Sequence, residues 1–193
     1  MCVRSVRRII AAAAMTTLLA ACASLPPATP TSAIADVGDT PFSIGGRISA
    51  RRGDAGIAGS FTWVHDATHD AIDLSSPLGQ MLAKLEGGAD GVMVRLPDGR
   101  TQSAATWREL TERAFGVTIP VDGLAAWVRG VPRKAAPFTV ERDSRGRVAL
   151  LRQQGWDVVY SYADDAAERP FRASLSYPGA EAVEVRVVVD RWQ

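Results

Sequence analysis

The chain has 193 residues, with 22 Lys and Arg against 21 Asp and Glu and a formal charge of +1. That length suffices for one domain with a substantial buried core. So small a basic surplus, with no Lys/Arg-rich run, excludes the phosphate-neutralising surface on which nucleic-acid binding depends.

The first residues read as a leader, against the alternative of a permanent anchor helix. Arg4, Arg7 and Arg8 precede an apolar run from Ile9 to Ala21, too short to span a bilayer comfortably. It ends in Leu19-Ala20-Ala21-Cys22, which resembles the lipobox of bacterial lipoproteins. The resemblance implies a signal peptide over residues 1–21, cleavage before Cys22 and a lipid on that Cys, the alternative being an ordinary signal peptide with an incidental Cys. One acyl chain binds a membrane only marginally, so a thioether diacylglyceryl group plus an N-acyl group suits stable anchoring. Cleavage removes three Arg and no acid, which leaves the mature chain near −2. It also removes Cys2, so no thiol remains for a disulfide, a CxxC redox pair or a Cys-based metal site.

Residues 22–40 continue as ASLPPATPTSAIADVGDT after the Cys, rich in Pro, Ser, Thr and Ala and without apolar periodicity. This composition reads as a tether to a domain over residues 41–193. Ala23, where enterobacterial inner-membrane lipoproteins carry Asp, resembles an outer-membrane address.

From Phe42 the pattern alternates. Phe42, Ile44, Gly46, Ile48 and Ala50 share one face, as do Ile57, Gly59, Phe61 and Trp63, then Val92, Val94 and Leu96, and finally Val183, Val185, Val187 and Val189. Period two with intervening turn signals, such as Asp143-Ser144-Arg145-Gly146 and Tyr177-Pro178-Gly179, predicts an antiparallel meander curling into a barrel or half-barrel. Within it, Ser76-Pro77-Leu78-Gly79 reads as a tight turn with an apolar side chain at its tip. Two short helices interrupt the strands. Thr106 and Glu109 have capping-box spacing before a helix closed by Gly116, with Trp107, Leu110 and Ala114 on one face. The second follows in DGLAAWVRGVP, with Leu124, Trp127 and Val128 on one side and Gly130 as its stop. The fold class is α+β: an incomplete antiparallel barrel covered by short helices.

Catalytic groupings are absent from the sequence. His65 and His69 with Asp66 and Asp70 read as a solvated hairpin around Asp66-Ala67-Thr68, not as metal ligands. No GxSxG, HExxH or P-loop GK[ST] occurs, and Asp164-Asp165 reads as a polar turn. Neither cofactor nor metal is expected. Trp63, Trp107, Trp127, Trp156 and Trp192 serve either as core or as the wall of an apolar cavity.

Several stretches in order, FSIGGRIS, GSFTW, LSSPLGQ, AWVRGVP and LRQQGWDVVYSY, resemble the LolB family. The resemblance implies an open barrel lidded by helices around an apolar cavity, in a protein that is not an enzyme. It implies an outer-membrane lipoprotein that accepts lipoproteins from the periplasmic carrier LolA and places them in the inner leaflet of that membrane. LolA shares the fold but is not lipidated, so Cys22 favours the receptor over the carrier. Pro77, Leu78 and Gly79 match the family's protruding membrane-insertion loop. Ile44, Ile48, Trp63, Val92, Val94, Trp127, Trp156, Val185 and Val187 are the expected cavity lining, against the alternative that they form plain core. The partners implied are a LolA-type carrier, acylated lipoprotein cargo and the outer membrane, with the protein acting as a monomer facing the periplasm. Two other functions stay open at this point: a tethered structural or assembly lipoprotein without a cavity, and a tethered hydrolase.

Overall fold

A computed structural model describes residues 40–133, 136–179 and 182–193. The expected signal peptide, the expected lipidation site Cys22 and all but the last residue of the expected 22–40 tether lie outside the described residues. The described chain forms β1 (Phe42–Arg52), β2 (Ala55–His65), β3 (His69–Ser75), β4 (Met81–Gly88), β5 (Gly91–Arg95) and β6 (Thr101–Ala104), then α1 (Trp107–Phe115) and α2 (Val121–Trp127). It continues through β7 (Phe138–Arg142), β8 (Val148–Gln153), β9 (Trp156–Ser161), β10 (Arg172–Tyr177) and β11 (Val183–Trp192).

All strands join one antiparallel sheet of order β6-β5-β4-β3-β2-β1-β11-β10-β9-β8-β7. The chain meanders outward from β1 to one edge, crosses through both helices to the opposite edge, and meanders back until β11 pairs with β1. The helical crossover therefore connects the two open edges, β6 and β7. Both edges are short, four and five residues, which limits the unpaired backbone they offer to another chain.

Alternation sorts the side chains as the sequence predicts. Phe42, Ile44 and Ala50 of β1, Phe61 and Trp63 of β2, Val92 and Val94 of β5, and Val183 to Val189 at every second position of β11 are buried. The intervening positions face out, where cross-strand ion pairs such as Arg47–Asp190 and Arg51–Glu184 join β1 to β11. The β1–β11 register shifts between Gly45 and Gly46, and a Cβ at Gly46 would lie 1.9 Å from the Val188 carbonyl oxygen. Only glycine permits the backbones to approach so closely.

α1 starts and stops where its caps dictate. The Thr106 hydroxyl accepts the Glu109 backbone N–H at 3.3 Å, and Gly116 closes the helix with φ +70°. α2 differs from the one-sided helix expected. Val121, Gly123, Leu124, Ala125, Ala126 and Trp127 are all buried, and Asp122 alone reaches solvent. The small residues let it sink against its neighbours on nearly every side, a burial that periodicity cannot register. Gly123 is required by its own helix, since a Cβ there would fall 2.5 Å from the Trp127 ring. No helix among the described residues is long and apolar enough to cross a membrane.

Candidate functional site

The turn after β3 is fixed by short hydrogen bonds. Ser76 N–H donates to the Gln80 carbonyl at 2.8 Å, Gly79 N–H to the Ser76 carbonyl at 2.9 Å, and Gln80 N–H to the Ser76 hydroxyl at 3.2 Å. Leu78 keeps a negative φ while Gly79 sits at +80°, the pattern of a type I turn followed by a left-handed glycine. Pro77 supplies the φ of the turn's first central position. At the tip Leu78 is 88% exposed, the most exposed of the large apolar side chains among the described residues.

Between the concave face of the sheet and the helices lies an apolar cavity of about 30 Å³. Its wall on the sheet side includes Ile48, Phe61, Trp63, Leu74, Leu85 and Val187. Its cover comes from Thr111 and Phe115 of α1, Ile119 beyond it, and Val121 and Leu124 of α2. Thr111 brings in a hydroxyl, but that group is spent: it donates to the Trp107 carbonyl and accepts the Ile119 N–H, each at 2.9 Å. The space thus presents only apolar surface and is about as large as one water molecule. Leu74, in its wall, lies four residues before Leu78, so β3 links cavity and loop.

Of the expected lining, Ile48, Trp63 and Val187 border this cavity. Ile44, Val92, Val94, Trp127 and Val185 are buried in the core outside its wall. Trp156 is buried 6.4 Å from Trp127 and borders a different cleft with Tyr177, Arg52 and Arg108. Phe115, Ile119 and Val121 were not singled out in the sequence, because nothing in their own pattern says which strand face they will cover.

Polar contacts set the position of the cover. Arg52, at the end of β1, reaches Glu112 of α1 at 2.6 Å, and the other Glu112 oxygen accepts the Thr118 hydroxyl at 3.1 Å. Gly116 packs so near that an added Cβ would lie 2.9 Å from that of Ala55. The far side of the cover is held through Gln153 of β8. Its side-chain oxygen accepts the Trp127 indole N–H and the Arg133 backbone N–H at 2.8 Å each, and its amide donates to the carbonyls of Arg133 and Ala136.

The His65 region corrects one expectation. The Asp66–Thr68 turn and His69 are exposed as read, but His65 and Asp70 are buried. Asp70 Oδ1 accepts the Trp63 indole N–H at 2.7 Å and the His65 Nδ1–H at 2.8 Å. Period two carries the inward face of β2 from Phe61 through Trp63 to His65, and the register sets Asp70 opposite His65. Among the described residues no group of three or more His, Cys, Asp or Glu is placed to hold a metal ion.

Comparison with known proteins accords with this architecture. The family model described as outer membrane lipoprotein LolB matches residues 40–192. The chain is 36% identical over 194 residues to the outer-membrane lipoprotein LolB of Azoarcus sp., covering 98% of each protein. It is 37% identical over 179 residues to that of Cupriavidus necator, covering 90% of each, and 33% identical over 177 residues to that of Chromobacterium violaceum, covering 91% of this chain and 93% of that protein. With such matches along nearly its whole length, the chain belongs to the LolB family.

Proposed function

We propose that this protein is an outer-membrane lipoprotein, anchored through Cys22 and facing the periplasm, that receives acylated lipoproteins from a LolA-type carrier and releases them into the inner leaflet. The observation that carries the reading is Leu78, held almost fully exposed on a hydrogen-bonded turn at the end of a strand that also walls the apolar cavity. Burying that side chain in lipid gains about 1.5–3 kcal/mol. This suffices for transient docking against a bilayer and is too little for permanent attachment.

Magnitudes favour handover between apolar enclosures. At ~0.8 kcal/mol per CH₂, full exposure of three long acyl chains would cost on the order of 30 kcal/mol. Cargo therefore has to pass from one covered site to another. In the present conformation the cavity has room for roughly one water, so acyl chains enter only if α1 and α2 move off the sheet.

The test is cargo transfer in a reconstituted system. Leu78→Glu is expected to accept cargo from the carrier as the parent does and to insert it into vesicles more slowly. Insertion at the parent rate would remove the loop from the mechanism. The small size of the cavity favours a second reading, a tethered structural lipoprotein with a filled core. An apolar fluorescent probe separates the two, because a permanently filled core neither binds the probe nor takes acylated cargo.

A further inference from the structure

The chain enters the described fold at a pinned point. Arg129, just beyond α2, donates from Nη1 to the Thr40 carbonyl at 3.0 Å, and its guanidinium lies 5.6 Å over the Phe42 ring. Phe42 stacks on His65 with ring centroids 4.8 Å apart and meets Trp63 edge-on at 5.1 Å. These contacts hold the N-terminal end of the domain at the pole of the sheet marked by the Asp66–Thr68 turn, because Phe42 pairs with His65.

The Leu78 loop belongs to the opposite pole. Ser75, where the loop begins, lies across from Ser60, which in turn pairs with Arg47. From Phe42 to Arg47 is five strand steps, about 17 Å, and the turn beyond Ser75 extends the separation to on the order of 20–25 Å. A chain rising straight from its anchor would thus present the Phe42 pole to the membrane and carry Leu78 away from it.

We propose that the segment between Cys22 and Thr40 is a return strap, whose length lets the lipid on Cys22 and the side chain of Leu78 enter the same bilayer from opposite poles of the domain. The inference rests on the proposed roles of Cys22 and Leu78. Eighteen residue steps separate Cys22 from Thr40. They can reach at most about 60 Å, well over the span required. Fewer than about seven steps could not cover it. Joining a stable lipid anchor to a second, weak membrane contact through one chain raises the effective concentration of the weak one, provided that the connection can span them.

The experiment uses the full lipidated protein in vesicles of phosphatidylethanolamine and phosphatidylglycerol, with Leu78→Cys carrying an environment-sensitive fluorophore. Deleting residues 24–36 leaves Ala23 beside Cys22 and only about five steps to Thr40, a reach of roughly 17 Å. The fluorophore is expected to shift to the blue in the full-length chain and not in the deletion, and a Gly/Ser segment of the original length is expected to restore the shift. In the Leu78 parent the same deletion is expected to slow cargo insertion about tenfold without changing cargo acceptance. An equal blue shift with and without the deletion overturns the strap. A length-dependent shift in a protein that accepts no cargo would retain the strap and overturn the receptor function instead.

Discussion

Glu112 of α1 holds Arg52 of β1 at 2.6 Å while its second oxygen accepts the Thr118 hydroxyl, so one carboxylate ties helix, following loop and sheet together. The pair is only partly buried, which limits its contribution to about 1 kcal/mol. Glu112→Gln is expected to lower Tm by about 2–4 °C and to increase binding of an apolar fluorescent probe, as the cover loosens over the cavity. Probe titration and a melting curve check both. A loss of Tm with no change in probe binding would make the contact a fold contact only.

Gln153 satisfies four backbone or indole groups, from Trp127, Arg133 and Ala136, through one buried amide. Gln153→Leu keeps the volume and leaves those groups without their partner. It should destabilise the domain by roughly 3 kcal/mol, seen as a lower denaturation midpoint at unchanged slope. Trp127→Phe removes one donor and should cost less. In a double-mutant cycle the two changes should be less than additive.

Asp122 titrates against the fold. Partial burial pushes its carboxyl above the ordinary value of 3.8, Asp70 adds to the rise, and Arg133 opposes it. Below pH 3.8 the group is protonated whether the chain is folded or not. As pH rises through the elevated folded value, the native state has to release a proton that it holds more tightly than the unfolded chain, and stability falls. Asp122→Asn is therefore expected to melt above the parent at pH 7 and together with it below pH 3.8, a comparison that thermal scans at the two pH values provide.

Leu78 contributes to membrane contact in the proposed function and almost nothing to the fold. Leu78→Ala should change stability by less than about 0.5 kcal/mol. Gly79→Ala, one residue later, should cost about 1 kcal/mol, because φ +80° strains any side-chain-bearing residue. Equal losses from the two would show that Leu78 packs against the domain.

What the sequence reveals of this fold is what adjacent residues decide between themselves. Phe61 and Trp63 announce an inward face, Thr106 and Gly116 the ends of α1, and Pro77 with Gly79 the shape of the turn. Period two also carried to His65, where the polar residues of the following turn hid its burial. Long-range geometry is less legible. Ala125 and Ala126 reveal little about the depth to which α2 sinks, since that depends on how eleven strands curl around it. Phe115 and Ile119 come to cover Trp63 and Leu74 only because the crossover passes between the two sheet edges. Gln154 takes φ +53° beside Gly155, as a two-residue hairpin demands, although glutamine itself gives no hint of that conformation.

The pairing of β1 with β11 has a consequence for how the domain comes into being. Arg47 finds Asp190 across a sequence separation of 143 residues. Until the last strand arrives, the first has one edge without a neighbour. Contacts so distant along the chain make for slow folding, and they leave the nascent β1 edge open to foreign strands until translation and export are complete. Loss of the final ten residues would therefore unzip the middle of the sheet and not its margin.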